Sequence, residues 1–252
     1  MSFQPVLTSG GLTGWRFLQR TYGSQLDVFS KSAARQREGA YFTEKIGAVK
    51  SAADLVADRR LLGVALGAFG LQNDLGNTFF IRKILEDGTA SPDALANRLS
   101  DKRYLEFSRA FGLGPGEVRR TGLPGPMADI LRKHHVSSFE VAVGERDDTM
   151  RIALYAQRTL GDLASEPISG TARWFKVMSL PPLRTMMETA LGLPSSFGRI
   201  DIDQQKTVFE EKLARLTGSG EIAQFTDPRA LEKLTTTYLA RAQINAAGAA
   251  AS

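Results

Sequence analysis

The chain has 252 residues, 42% hydrophobic and 23% charged, the balance of a globular protein long enough to bury one or two cores. It has no cysteine, which excludes a disulfide framework, a thiolate nucleophile and a cysteine metal site. A formal charge of +5 is mildly basic, compatible with acidic partners but too small to assign one.

Residues 1–14 are rich in Ser, Thr, Gly and Gln and are expected to form a flexible N-terminus. Trp15, Leu18, Tyr22, Leu26 and Phe29 then recur at helical spacing. Such an aromatic stripe either packs on a core or docks a partner. Residues 30–39 are polar and charged, with Arg35, Arg37 and Glu38. Tyr41 to Val56 reads as one helix with Phe42, Ile46 and Val49 on a face, and Ser51 and Asp54 form a capping box that restarts a helix before Asp58.

Asp58 is a good N-cap, because a short carboxylate accepts the free amides of a first turn. Leu62, Leu66 and Phe69 follow at i, i+4 and i+7, and Gly70-Leu71 ends the helix. A glycine at C′ adopts the left-handed conformation, and the apolar residue after it packs back on the last turn. The same ending is written at Gly112-Leu113, after a helix begun by Asp101, and at Gly192-Leu193, after one with Pro181 and Pro182 in its first turn. Between the first two lie a helix with Phe80 and Ile84 and the start signal Ser91-Pro92-Asp93.

Gly114-Pro115-Gly116 and Pro124-Gly125-Pro126 bracket the best internal boundary. Met127 to Glu140 resumes helical spacing. Phe139 to Val143 alternates like a strand, but with nothing to pair with its ladder we read it as helix. Asp147 and Asp148 cap a helix with Met150, Ile152, Leu154 and Leu160; Trp174 and Val177 lead to the third glycine ending. A helix with Phe209 and Leu213 follows Asp201, and the final one runs from Pro228 to about Gln243.

The expected organisation is therefore all-α and multihelical: helical unit 1 over 15–121, helical unit 2 over 126–243, and a flexible tail over 244–252. Gly70 and Gly192 are 122 positions apart, and Pro92 and Pro228 are 136 apart; a polar insert at Thr217 to Gly220 supplies the difference. That pattern points to an internal duplication of a three-helix unit rather than a fixed-period solenoid.

No catalytic, cofactor or metal residues emerge. HExxH, CxxC, P-loop, GxSxG and SxxK motifs are absent. His134 and His135 are adjacent and point about 100° apart on a helix, a poor geometry for one metal. They are read as structural or solvated histidines. Asp201 and Asp203 would open a calcium loop only with Gly sixth and Glu twelfth; Lys206 and Lys212 stand there, so they are read as helix caps. The basic pairs Arg59-Arg60, Arg82-Lys83, Lys102-Arg103, Arg119-Arg120 and Arg132-Lys133 are interleaved with acids, arguing for solvated faces over a nucleic-acid stripe. No run of 18 apolar residues marks a transmembrane helix, and the N-terminus lacks a secretory h-region.

The segments Gly14 to Thr21, Asp54 to Leu71, Phe80 to Tyr104, Phe139 to Asp147, Met150 to Arg158 and Thr189 to Gln205 together resemble a multihelical domain family of alphaproteobacteria. Its genes lie among flagellar basal-body and motor loci. The resemblance implies a multihelical fold and a flagellar role, but carries over no functional residue. The expectation is a non-enzymatic interaction module in flagellar assembly, export or basal-body function, without cofactor. Its partners would be other proteins, flagellar components among them. The expected location is cytoplasmic, with flagellar association by non-Sec export as the alternative. A nucleic-acid-binding regulator and an exported structural component are the rival readings.

Overall fold

In the computed structural model, which describes residues 3–250, those residues form thirteen α-helices and several 3-10 turns, with no β-strand among them. The protein is all-α, as its apolar periodicity requires. It divides into two compact units, one of Met1–Val6 with Thr21–Ala142 and the other of Leu7–Arg20 with Val143–Ser252.

The first unit holds the later part of α1 (Gly11–Ser30), then α2 (Ala33–Lys45), α3 (Ala52–Ala57), α4 (Arg59–Gly67), α5 (Thr78–Asp87), α6 (Leu95–Arg98), α7 (Arg103–Phe111) and most of α8 (Pro124–Gly144). Local chemistry sets its helix starts. Ser51 Oγ accepts from Asp54 N–H while Asp54 accepts from Ser51 N–H, a reciprocal box that opens α3. The Asp58 carboxylate takes the amides of Arg60 and Leu61 at 2.9 and 3.0 Å and opens α4. The single helix expected over 41–56 is broken by a 3-10 turn at Ile46–Ala48, because the capping box stops α2 from running on. Conversely, α2 starts at Ala33, inside the stretch read only as polar. Its core face and those of α4, α5 and α7 meet through Phe42, Leu62, Leu66, Ile84, Phe107 and Phe111, all buried.

The glycine endings differ in detail. Leu71 N–H reaches Leu66 C=O and Gly70 N–H reaches Gly67 C=O, the full Schellman pair, with Gly70 at φ 69°. Gly192 (φ 63°) repeats it with Leu193 to Glu188 and Gly192 to Thr189. Gly112 makes the single bond to Ser108 C=O, the simpler left-handed ending.

The loop taken as a domain boundary lies inside the first unit. Glu117 accepts from Thr89 N–H at 2.6 Å and from Gly114 N–H at 3.2 Å. Thr121 Oγ1, buried, donates to Val49 C=O at 2.7 Å. Gly88 and Gly114 touch back to back: a Cβ on Gly88 would stand 2.8 Å from Gly114 Cα. These bonds tie residues 113–123 to α5 and the α2–α3 turn, so the units divide at 142/143 instead of 121–126.

Both ends depart from the flexible expectation. Val6 N–H donates to Gln25 Oε1 at 2.7 Å and Gln25 Nε2 donates back to Val6 C=O at 3.1 Å. Phe3 sets its edge on Phe29. One buried amide thus fastens the described part of the N-terminal stretch, and α1 already begins at Gly11. At the other end α13 runs past Gln243 to Ala250, as its run of alanines, the strongest helix formers, favours. Met1, Ser2, Ala251 and Ser252 lie outside the described residues.

The second unit holds the start of α1, the end of α8, and α9 (Asp148–Ser165), α10 (Gly170–Ser179), α11 (Pro181–Ala190), α12 (Ile202–Thr217) and α13 (Pro228–Ala250). Asp147 caps α9 through the amides of Thr149 and Met150. α9 packs on α11 and α13. Trp174 stacks on Phe209 at 5.6 Å, Phe197 meets Phe209 edge-on at 4.9 Å, and the indole N–H donates to Gly220 C=O. Residues 139–143, open to a strand reading, are helical within α8.

Candidate functional site

The first unit gathers its acid–base groups where α2 faces α8. Arg35 and Glu38, one turn apart on α2, pair at 2.6 Å. The same Glu38 oxygen, Oε2, lies 3.1 Å from His134 Nε2 on α8. His134 is buried, so its ring is held between a carboxylate and the helices around it. Burial alone would raise the Glu38 pKa; the hydrogen bond and charge of His134, with Arg35, outweigh it and hold the carboxyl at about 2.

This trio resembles the base and its orienting acid in a hydrolase, so its third side decides the chemistry. Ser138 Oγ is 3.5 Å from both ring nitrogens of His134. Equal distances place it on neither lone pair, so no serine–histidine nucleophile is assembled. Nδ1 faces Gly67 of α4 so closely that a Cβ there would run into the ring. What the cluster does is clasp α2 to α8.

His135 turns elsewhere. Its Nε2 is buried and has no hydrogen-bond partner. Burial foremost, then the charges of His134 and Arg35, push its pKa below 6.5. It lines a cavity of about 410 Å³ with Ile46, Thr121, Met127, Leu131 and Arg132 among others. The sequence placed the two histidines on one helix, and they do point into different surroundings, with ring centroids 6.2 Å apart. It missed Arg35 and Glu38 as their companions. The signal was there: Arg-x-x-Glu followed by Tyr41 and Phe42 makes about two turns of an amphipathic helix.

The other sequence candidates resolve as follows. Asp201 accepts from Asp203 and Gln204 N–H and caps α12. Trp15, Leu18 and Phe29 are buried, which removes the aromatic stripe as a free docking face. Four residues of the basic pairs are matched at home: Arg82 with Glu86, Lys83 with Asp87, Arg103 with Asp101, Arg132 with Asp129. Arg60 lies over the Tyr41 ring at 3.5 Å. Among the described residues no group of three or more His, Asp or Glu is placed to hold a metal ion, and no helix is long and apolar enough to cross a membrane. Some large apolar side chains stand in solvent instead. Phe79, in the first turn of α5, is 83% exposed and Val118 is 77% exposed, while the neighbouring Phe80 packs on Tyr104.

No curated protein matches the chain. A structural-genomics crystal structure of a protein from Agrobacterium tumefaciens is similar to it, with 27% identity and a TM-score of 0.73, over 93% of this chain and 96% of that one. That likeness runs through both units. The family model described as "Protein of unknown function (DUF1217)" matches residues 68–231, from the first glycine-ended helix to the start of α13. The chain therefore belongs to the DUF1217 family.

Proposed function

We propose that this protein is a non-enzymatic interaction module that serves the flagellum, as an assembly, export or basal-body accessory. One observation carries the interaction reading: Phe79 is held almost fully in water at the head of a helix whose next residue is packed. Covering such a ring releases on the order of 1.5–3 kcal/mol, enough to make it a contact anchor. The closed state of the His134 cluster supports the non-enzymatic part. The flagellar part rests on the resemblance of the segments quoted above. Deleting the gene and scoring swimming and filament number tests it: reduced motility is expected, restored by the wild-type copy and not by Phe79→Ser. Normal swimming and normal filaments in the deletion strain would reject the flagellar role. Full rescue by Phe79→Ser would reject Phe79 as the anchor.

We also infer that the two units share an ancestral three-helix element. Supporting this, Gly70 and Gly192 end their helices with identical bond pairs, and each lies under an arginine, Arg103 and Arg241 respectively. Superposing 59–103 on 181–241 is the check; helices that fail to overlay in order would end the idea.

A further inference from the structure

The cavity of the first unit is a cleft with an apolar floor and a basic edge. Ile46, Met127 and Leu131 make the floor, and Thr43, Gly122 and Ala128 stand at exposed positions around it. Its volume of about 410 Å³ lies in the range that takes a small molecule, so a large side chain fits. The walls are fixed before anything binds. Thr121 Oγ1 donates to Val49 C=O, and Arg120 N–H donates to Phe111 C=O, so the loop after α7 is tied on both sides. A preformed cleft loses little freedom when it is filled.

Charge narrows the occupant. Positions 118–133 carry four basic residues and one acid. Arg119 and Arg120 are exposed, and among the described residues neither has an ion partner. The Arg119 guanidinium stands 4.0 Å from where a Cβ would be on Gly122, a lining residue. Arg132 lines the cleft itself, and its ion pair with Asp129 is exposed and easily exchanged. The acid next to this stretch, Glu117, is committed to Thr89 and Gly114. Leu123, between the lining residues Gly122 and Pro124, is 45% exposed and adds an apolar group beside the basic ones.

We propose that this cleft docks an acidic segment of a partner protein. The segment inserts one large apolar side chain between Ile46, Met127 and Leu131 and sets its carboxylates against Arg119 and Arg132. The apolar anchor supplies affinity, and the charges at the rim speed and select the encounter. An anionic bilayer would meet the arginines but leave the recess empty. Such docking rests on the interaction reading and extends it to a second surface, without needing Phe79.

A phage-displayed library of random peptides, selected on the full-length protein, is the probe. Enriched peptides are expected to share a large apolar residue flanked by Asp or Glu. Fluorescence polarisation of the consensus peptide then locates its site. Ala128→Phe, at an exposed position, fills the cleft without disturbing the core and should weaken binding by about tenfold or more. The double variant Arg119→Glu, Arg132→Glu should weaken it by about tenfold and flatten its salt dependence. Phe79→Ser should leave it unchanged, which separates this cleft from the contact at Phe79. No enrichment, an enriched set without acids, or binding indifferent to Ala128→Phe or to the double variant overturns the proposal. So does loss of binding in Phe79→Ser. Phosphatidylserine vesicles should not sediment the protein at about 0.15 M salt. Sedimentation that the double variant abolishes would assign the basic edge to a membrane and overturn the proposal. Self-association that Ala128→Phe abolishes, read by light scattering, would assign the cleft to a second copy and overturn it likewise.

Discussion

At His134 a single atom of clearance sets what substitutions the protein tolerates. Gly67 leaves no space for a methyl group beside the imidazole. Gly67→Ala should therefore lower stability by about 1–3 kcal/mol, read as a fall in the denaturation midpoint, although alanine is the better helix former. Gly63, four residues earlier on α4, has open space where a Cβ would go. Gly63→Ala should be neutral or stabilise by up to about 1 kcal/mol, the propensity gain uncontested. The ionisable groups give a second residue-scale test. His135 has a folded pKa below its ordinary 6.5, so the unfolded chain binds the proton more readily and stability falls as pH drops below 6.5. Glu38 is held at about 2 against 4.5, so its contribution is whole above pH 4.5 and is lost as pH falls towards 2. His135→Phe should flatten the first part of the melting-temperature profile and leave the second. Glu38→Gln should do the reverse.

The helices show how much of the architecture could be read from residue order. Caps and stops were legible because they are local: Ser51, Asp58, Asp147 and Asp201 each bond amides two or three positions on. Gly70 and Gly192 declared their left-handed turns for the same reason. What could not be read depends on distant partners. Gln25 looks like any surface glutamine until Val6 is placed across from it, and Glu38 looks solvated until α8 arrives with His134. The His135 cavity is further from reach, since its walls come from α2, the loop after α7, and α8. A prediction follows for the N-terminal strap. Gln25→Ala removes both bonds to Val6 and should cost about 1–2 kcal/mol, and the Val6 amide should lose its protection against hydrogen exchange. An unchanged exchange rate at Val6 would show that Phe3 and Pro5 hold the segment alone.

Across the whole molecule, charge and helix length bear on what the protein can meet. The net charge of +5 is dispersed, and Arg82, Lys83, Arg103 and Arg132 are each answered by an acid two to four positions away. Duplex DNA affinity, if any, should be weak and should fall only gently between two salt concentrations, since few phosphates would be neutralised; a steep loss would favour the regulator reading instead. The last turns of α13 are mostly exposed, Ile244 among them at 68%. Ending the chain after Gln243 should shift the melting temperature little, by under about 0.5 kcal/mol in stability, because the side chains described there, at 244–248, are all exposed.

The seam where Gly88 meets Gly114 has a consequence for anyone who diversifies this protein. Neither position has room for a side chain, and Glu117 stitches the two loops from beside it. A saturation library should therefore return blanks at both sites whatever the chemistry offered, and a single exchange at one cannot be rescued by any exchange at the other, since glycine is already the smallest choice. Loop grafting in this unit has to carry the two turns together as one piece.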